Sequence, residues 1–104
     1  MGAFRSKRGW IILAEKTAII GNPTGMHARP ASKLLALIRK YKCGLTLEAN
    51  GKTTNPRSIL NLLSMGLKEG TEVIVRGSGD SEEQAVEEIA DYLVNFRDSG
   101  EPNE

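Results

Sequence analysis

Leu45-Thr46-Leu47-Glu48-Ala49-Asn50-Gly51-Lys52-Thr53-Thr54 is the stretch from which the fold is built outward. Apolar and polar residues alternate over 45–49, as a half-buried strand requires, and Asn50-Gly51 supplies two residues that accept the backbone angles of a tight hairpin turn. Lys52-Thr53-Thr54 returns as the partner strand. Downstream, Ile59, Leu60, Leu62, Leu63 and Met65 form a short apolar segment that ends at Gly66, the pattern of a two-turn helix. Either Asn55, with Pro56 in the first helical position, or Ser58 is placed to cap it. Thr71–Arg76 reads as a further strand, with Gly77-Ser78-Gly79-Asp80 as the turn out of it. In the closing helix, Ser81 and Gln84 have the spacing of a capping box, Glu82 and Glu83 suit the positive end of the dipole, and Val86, Ile89, Ala90 and Leu93 make the buried stripe.

Upstream of the hairpin, Ala31, Leu34, Leu35, Ile38 and Tyr41 fall at helical spacing, with Lys33, Arg39 and Lys40 off that stripe and Gly44 as the stop. Before it, Glu15–Ile20 alternates as a strand with Ala18 and Ile20 facing inward, and Gly21-Asn22-Pro23-Thr24-Gly25 is a loop of five consecutive breakers. The order is β-α-β-β-α-β-α. Each helix has one apolar stripe and each strand one apolar side, so the economical α+β arrangement is a small sheet covered by helices on one face.

The chain has 104 residues, 39% of them hydrophobic, with 14 Lys+Arg against 13 Asp+Glu, which suits one small core. We expect the domain over 14–98, an arm over 1–13 and a frayed tail over 99–104. One cysteine, Cys43, and one histidine exclude an internal disulfide and any two-histidine metal site. The longest apolar run, Trp10–Ala14, is far short of a membrane span, so a soluble, cytoplasmic protein with no membrane insertion is expected. Charge is polarised: residues 1–79 carry 13 basic and 4 acidic side chains, and residues 80–104 carry 1 and 9. Such a dipole steers encounter with charged partners, although a solvated face on the final helix accounts for the acidic run as well. The basic half lacks the clustered patch and stacking rings of nucleic-acid binders.

Chemistry concentrates in Gly25-Met26-His27-Ala28-Arg29-Pro30-Ala31-Ser32, where the loop meets the first helix. Helix starts present unsatisfied N–H groups and partial positive charge, so an anion bound there meets donors already aimed at it. The same field disfavours a charged imidazole and keeps a ring nitrogen of His27 available as a nucleophile. Arg29 offers a planar fork for phosphoryl oxygens, and Pro30 suits the first turn because its missing N–H costs little there. Read without further context, a capping His27 beside a solvated Arg29 explains the same residues.

This octapeptide resembles the active-site signature of the HPr family, the histidine-containing phosphocarrier proteins of the bacterial phosphoenolpyruvate-dependent phosphotransferase system. The resemblance continues through Asn50-Gly51-Lys52, Arg57-Ser58-Ile59-Leu60 and Met65-Gly66-Leu67-Lys68-Glu69-Gly70-Thr71, and covers roughly residues 16–97. It implies an open-faced β-sandwich, a four-stranded antiparallel sheet with three helices on one face. It also implies that His27 accepts a phosphoryl group at Nδ1 from phosphorylated Enzyme I and passes it to an Enzyme IIA domain, with Arg29 assisting and Pro30 shaping the turn. No metal or cofactor is implied, and the chain acts as a transfer protein more than as an enzyme turning over a small molecule. Ser58 matches a serine that a separate kinase phosphorylates in many members. Ile59, Leu60 and Leu63, with Lys33, Arg57 and Lys68 nearby, match the partner-facing patch. A carrier that shows one histidine to two partners in turn is expected to be a monomer.

A regulatory binding module controlled at Ser58, docking to a transcription factor or metabolic enzyme, is the competing reading. Retention of His27 argues against it, since a module that never relays phosphate has no need of the histidine. RNA binding is weakest, because the strands lack aromatic residues to stack bases.

Overall fold

A computed structural model describes residues 14–97; the expected arm at 1–13, position 98 and the tail at 99–104 lie outside the described residues. The chain forms β1 (Ala14–Ile19), α1 (Ala28–Ile38), β2 (Gly44–Ala49), β3 (Lys52–Thr54), α2 (Ile59–Ser64), β4 (Glu72–Ser78) and α3 (Glu82–Asn95). All pairings are antiparallel and the strand order is β1-β4-β2-β3, so the last strand lies between the first and second. At the hairpin tip Asn50 and Gly51 have φ of 53° and 78°, the paired positive angles of a turn whose twist matches that of its strands.

Strand periodicity divides the sheet. Ala18, Leu45, Leu47, Ala49, Val73 and Val75 point toward the helices and are buried against Leu34 and Ile38 of α1, Leu62 of α2, and Ile89 and Leu93 of α3. The outer face is polar. There Arg76 of β4 reaches both neighbouring strands, with Nε donating to Glu15 Oε1 at 3.0 Å and Nη1 to Glu48 Oε1 at 2.7 Å. The two carboxylates, Glu48 foremost, hold the guanidinium more firmly protonated. This three-strand ladder satisfies charge on a surface no helix covers.

Three local expectations are corrected. Tyr41 is buried but lies beyond α1, because Lys40 N and Tyr41 N bond to Leu37 O and Ile38 O and tighten the chain into a turn. Gly77 and Ser78 belong to β4, since they pair with Ala14 of β1 and with Leu45 and Gly44 of β2. Ser81 makes no side-chain cap; its φ of 56° is left-handed, whereas a capping serine needs extended backbone to aim its oxygen at the helix amides. Buried Glu82 reaches back instead, and its Oε1 accepts from Gly79 N at 2.8 Å.

Cys43 is buried, and burial pushes its thiol up from the ordinary cysteine range. We therefore expect a thiol reagent at neutral pH to modify the native protein only as fast as the chain opens, and the denatured protein at once. Rapid stoichiometric labelling of the native chain would contradict this burial.

Candidate functional site

The loop from β1 to α1 is fixed from inside and from outside. Inside, fully buried Asn22 donates its side-chain Nδ2 to Gly25 O at 2.8 Å and to Thr24 Oγ1 at 3.1 Å, while its backbone carbonyl accepts from Gly25 N at 2.9 Å. Asparagine favours turns by bonding nearby backbone in this way. Outside, Met26 N donates to Leu67 O at 2.8 Å, which ties the loop to the segment between α2 and β4. Gly25 sits in the contact with φ of 73°, and a Cβ there would stand 2.6 Å from Leu67 O. Gly25→Ala combines a backbone strain of about 1–3 kcal/mol with a clash against a fixed carbonyl. It is expected to lower stability by at least about 2 kcal/mol in denaturant unfolding and to displace the histidine loop.

His27 is the N-cap of α1, exposed and extended, and its carbonyl accepts the first helical bond from Ala31 N at 2.9 Å. A capping side chain normally bonds the second or third helical amide. Here the third helical residue is Pro30, which has none, and the ring does not cap. Its Nε2 lies 3.2 Å from Thr24 Oγ1. Arg29 is exposed on the same turn, while Pro30 is buried and its carbonyl accepts from Tyr92 Oη at 2.9 Å. Tyr92 is stacked on Phe96 with ring centres 5.2 Å apart, so α3 clamps the first turn of α1.

The second group of residues lies on α2, which packs beside α1. Ser58 is the cap that forms, its half-buried Oγ accepting from Asn61 N at 3.3 Å, while Asn55 Oδ1 takes the amide of Arg57 at 2.9 Å. Leu60 is 73% exposed and Leu63 38%, whereas Leu62 and Met65 are buried and Ile59 packs at the core edge. A two-turn helix has one inner face, and the surplus leucines are left in solvent. Lys33 and Lys68 are exposed. Arg57 is turned inward: Nη2 donates to Tyr41 O at 2.8 Å and Cys43 O at 2.9 Å, and Nη1 to Ile38 O at 3.3 Å.

His27, Arg29 and Pro30 thus share one helical turn, and Ser58, Ile59, Leu60 and Leu63 share the short helix α2 and its cap. Thr24, Asn22 and Tyr92 complete the first group and were not singled out by sequence reasoning, which took 21–25 as breakers and passed over Tyr92. The asparagine in that loop was the available signal.

An open-faced α+β sandwich with an exposed histidine heading its first helix has the build of a small carrier domain. Residues 14–95 match the family model described as PTS HPr component phosphorylation site. The phosphocarrier protein HPr of Mycoplasma capricolum is 36% identical over 83 residues, 80% of this chain and 93% of that protein. Among solved structures, a phosphocarrier protein HPr from Bacillus anthracis superposes with a TM-score of 0.74 at 26% identity, covering 78% of this chain and 96% of that one. The Bacillus subtilis catabolite repression protein Crh, described as a swapped dimer, gives 0.62 at 35% identity over 68% of this chain and 82% of its own. The chain belongs to the HPr family of phosphocarriers of the phosphotransferase system. Among the described residues, no helix is long and apolar enough to cross a membrane.

Proposed function

We propose that His27 is the phosphoryl acceptor, taking the group at Nδ1 from phosphorylated Enzyme I and delivering it to an Enzyme IIA domain in the cytoplasm. The observation that carries this reading is the exposed His27 ring at the start of α1, which makes no side-chain cap bond to the helix. In the transfer, the Nδ1 lone pair forms the bond to phosphorus as the bond to the donor side chain breaks. The phosphoryl oxygens then meet the N-terminal amides of α1 and the positive end of its dipole, and Arg29 is within one turn to neutralise them. Onward delivery reverses the step. A phosphorylated imidazole keeps a high transfer potential, which a serine ester would not, and the choice of histidine suits relay.

Exposed Leu60 and Leu63, with Ile59, Lys33 and Lys68 around them, supply the apolar patch and basic rim on which partners dock; Arg57 lends that patch its support from beneath. Ser58 is a regulatory acceptor for a serine kinase on the same surface, where added negative charge opposes docking. The working unit is the domain over 14–98, with the arm and tail outside it, and it acts as a monomer because both partners need the same face.

The test is incubation with phosphoenolpyruvate, magnesium and a bacterial Enzyme I, followed by intact mass and acid treatment. One acid-labile phosphoryl group per chain is the expected product. An acid-stable adduct, or none with Enzyme I of either the sugar or the nitrogen-related branch, would favour the regulatory module at Ser58.

A further inference from the structure

We propose that the N-terminal arm folds back onto the uncovered face of the sheet, with the ring of Trp10 seated in a shallow cleft over Gly44 and Ser78 and against Arg76. The proposal stands apart from the carrier reading, because this face is turned away from the helices and from His27.

The cleft holds about 280 Å3 and is lined by Gly44, Leu45, Thr46, Arg76, Gly77 and Ser78, where β2 and β4 lie side by side. Strand alternation decides what borders it. Leu45 and Gly77 are buried toward the helices, so Gly44, Thr46, Arg76 and Ser78 face outward. Gly44 pairs with Ser78 and Thr46 with Arg76, which sets a row almost without side chains beside a row with a long one. Gly44 is not there for its backbone angle, which is not left-handed, and a Cβ on it would stand 3.6 Å from Ser78 O, an ordinary contact. The fold does not need this position bare. Arg76 supplies the wall: its Nε and Nη1 donate in the guanidinium plane to Glu15 and Glu48, which fixes the group and leaves its flat face to an aromatic ring.

The occupant follows from where the described residues begin. Ala14, the first of them, pairs with Gly77 in the wall of the cleft, so the same register carries residue 13 opposite Ser78. The alternation that turns Glu15 outward and Ala18 inward assigns Leu13 to the outer face. Gly44 lies two strands across from Ala14, about 10 Å at the usual strand spacing. The stretch from Trp10 to Ala14 spans up to about 13 Å, so the ring reaches the cleft without passing over a helix.

The composition of the arm agrees. Trp10-Ile11-Ile12-Leu13 opens the longest apolar run in the chain, and the phosphoryl chemistry leaves it unused. A cavity of about 150 Å3 is enough to hold benzene, so the cleft has room for an indole. Beyond Trp10 the arm carries Arg8, Lys7 and Arg5 and no acidic residue, while exposed Asp80 follows two residues after Ser78 at the same end of the sheet. Positive arm and negative turn are therefore brought together by the same fold-back.

Trp10 is the only tryptophan, so its fluorescence reports on the arm alone. The experiment compares full-length wild type with Gly44→Val, a residue that suits a strand and fills the cleft. It reads acrylamide quenching over a range of protein concentrations, together with nuclear Overhauser contacts of the indole ring. Native wild type should show about half the quenching of the urea-unfolded chain, since one face of the ring lies on the sheet. That protection should hold at every concentration, with indole contacts to the Gly44 α-protons. Gly44→Val should lose both the protection and the contacts while keeping the wild-type amide spectrum and phosphoryl uptake. If the variant does not fold, the wild-type indole contacts decide alone. A native Trp10 as open to acrylamide as in urea would overturn the proposal, and so would indole contacts to another surface or full protection in folded Gly44→Val. Protection that fades on dilution would give the cleft to the arm of a second copy and overturn the fold-back within one chain.

Discussion

A His27→Ala chain is expected to take up no acid-labile phosphoryl group from phosphorylated Enzyme I, while unfolding within about 0.5 kcal/mol of the wild type. The first half follows from the sequence having one histidine, so no second imidazole can substitute. The second follows from geometry. His27 is exposed and makes no side-chain cap bond to α1, and its contact to Thr24 Oγ1 lies at the surface. Alanine is ordinarily a poor N-cap because it removes an oxygen that satisfies a helix amide, but here there is no such bond to lose. Intact mass before and after acid treatment reads the first expectation and denaturant unfolding the second. A labile adduct persisting on the alanine variant would remove His27 from the role assigned to it. A large loss of stability would mean that the ring is part of the scaffold.

Arg57→Ala is expected to destabilise the fold by about 2–4 kcal/mol, a large share of the stability of a domain this size. Three backbone carbonyls converge on this guanidinium, at the end of α1 and in the turn that follows it. Carbonyls in the last turn of a helix have no partner within the helix, and Ile38 O is among them. Hydrogen bonds to a charged donor contribute about 1.5–3 kcal/mol each, and the longest of the three contributes least. Arg57→Lys should recover only part of the loss, because one ammonium cannot match a planar fork across three acceptors. Midpoints of urea unfolding for the three chains check the order. Equal midpoints would show that the guanidinium is replaceable by water. Loss of partner binding in Arg57→Ala alone would not establish a docking contact, since the turn behind the patch would have loosened as well.

What the sequence made legible is what local rules govern. Alternation over 45–49 located a strand whose odd-numbered residues are indeed the buried ones, and Asn50-Gly51 predicted the turn. The same Asn50 also donates through Nδ2 to Met65 O at 2.9 Å and Gly66 O at 3.0 Å, closing the end of α2, and no pattern announces that. Tyr41 kept the apolar spacing of α1 after the helix had ended, because burial is a property of position in space and periodicity only suggests it. Ser81 had the right neighbour for a capping box and the wrong backbone. Around His27 the spacing displayed the histidine, the arginine and the proline of the proposed site. Leu67 and Tyr92 were hidden because their roles arise from where distant parts of the chain come to rest, and Thr24 because a loop of breakers does not show which of its side chains will meet.

The tether from Met26 to Leu67 carries a further implication. The octapeptide around His27 is held by a carbonyl forty residues downstream and by a tyrosine near the end of the last helix, so its shape is borrowed from the rest of the domain. It is not a cassette. Grafted onto another helix, or cut out as a peptide, the same eight letters would keep their chemistry and lose their pose. Natural rearrangements that permute or trim the second half of such a chain must therefore preserve two anchor points that show no reactive group.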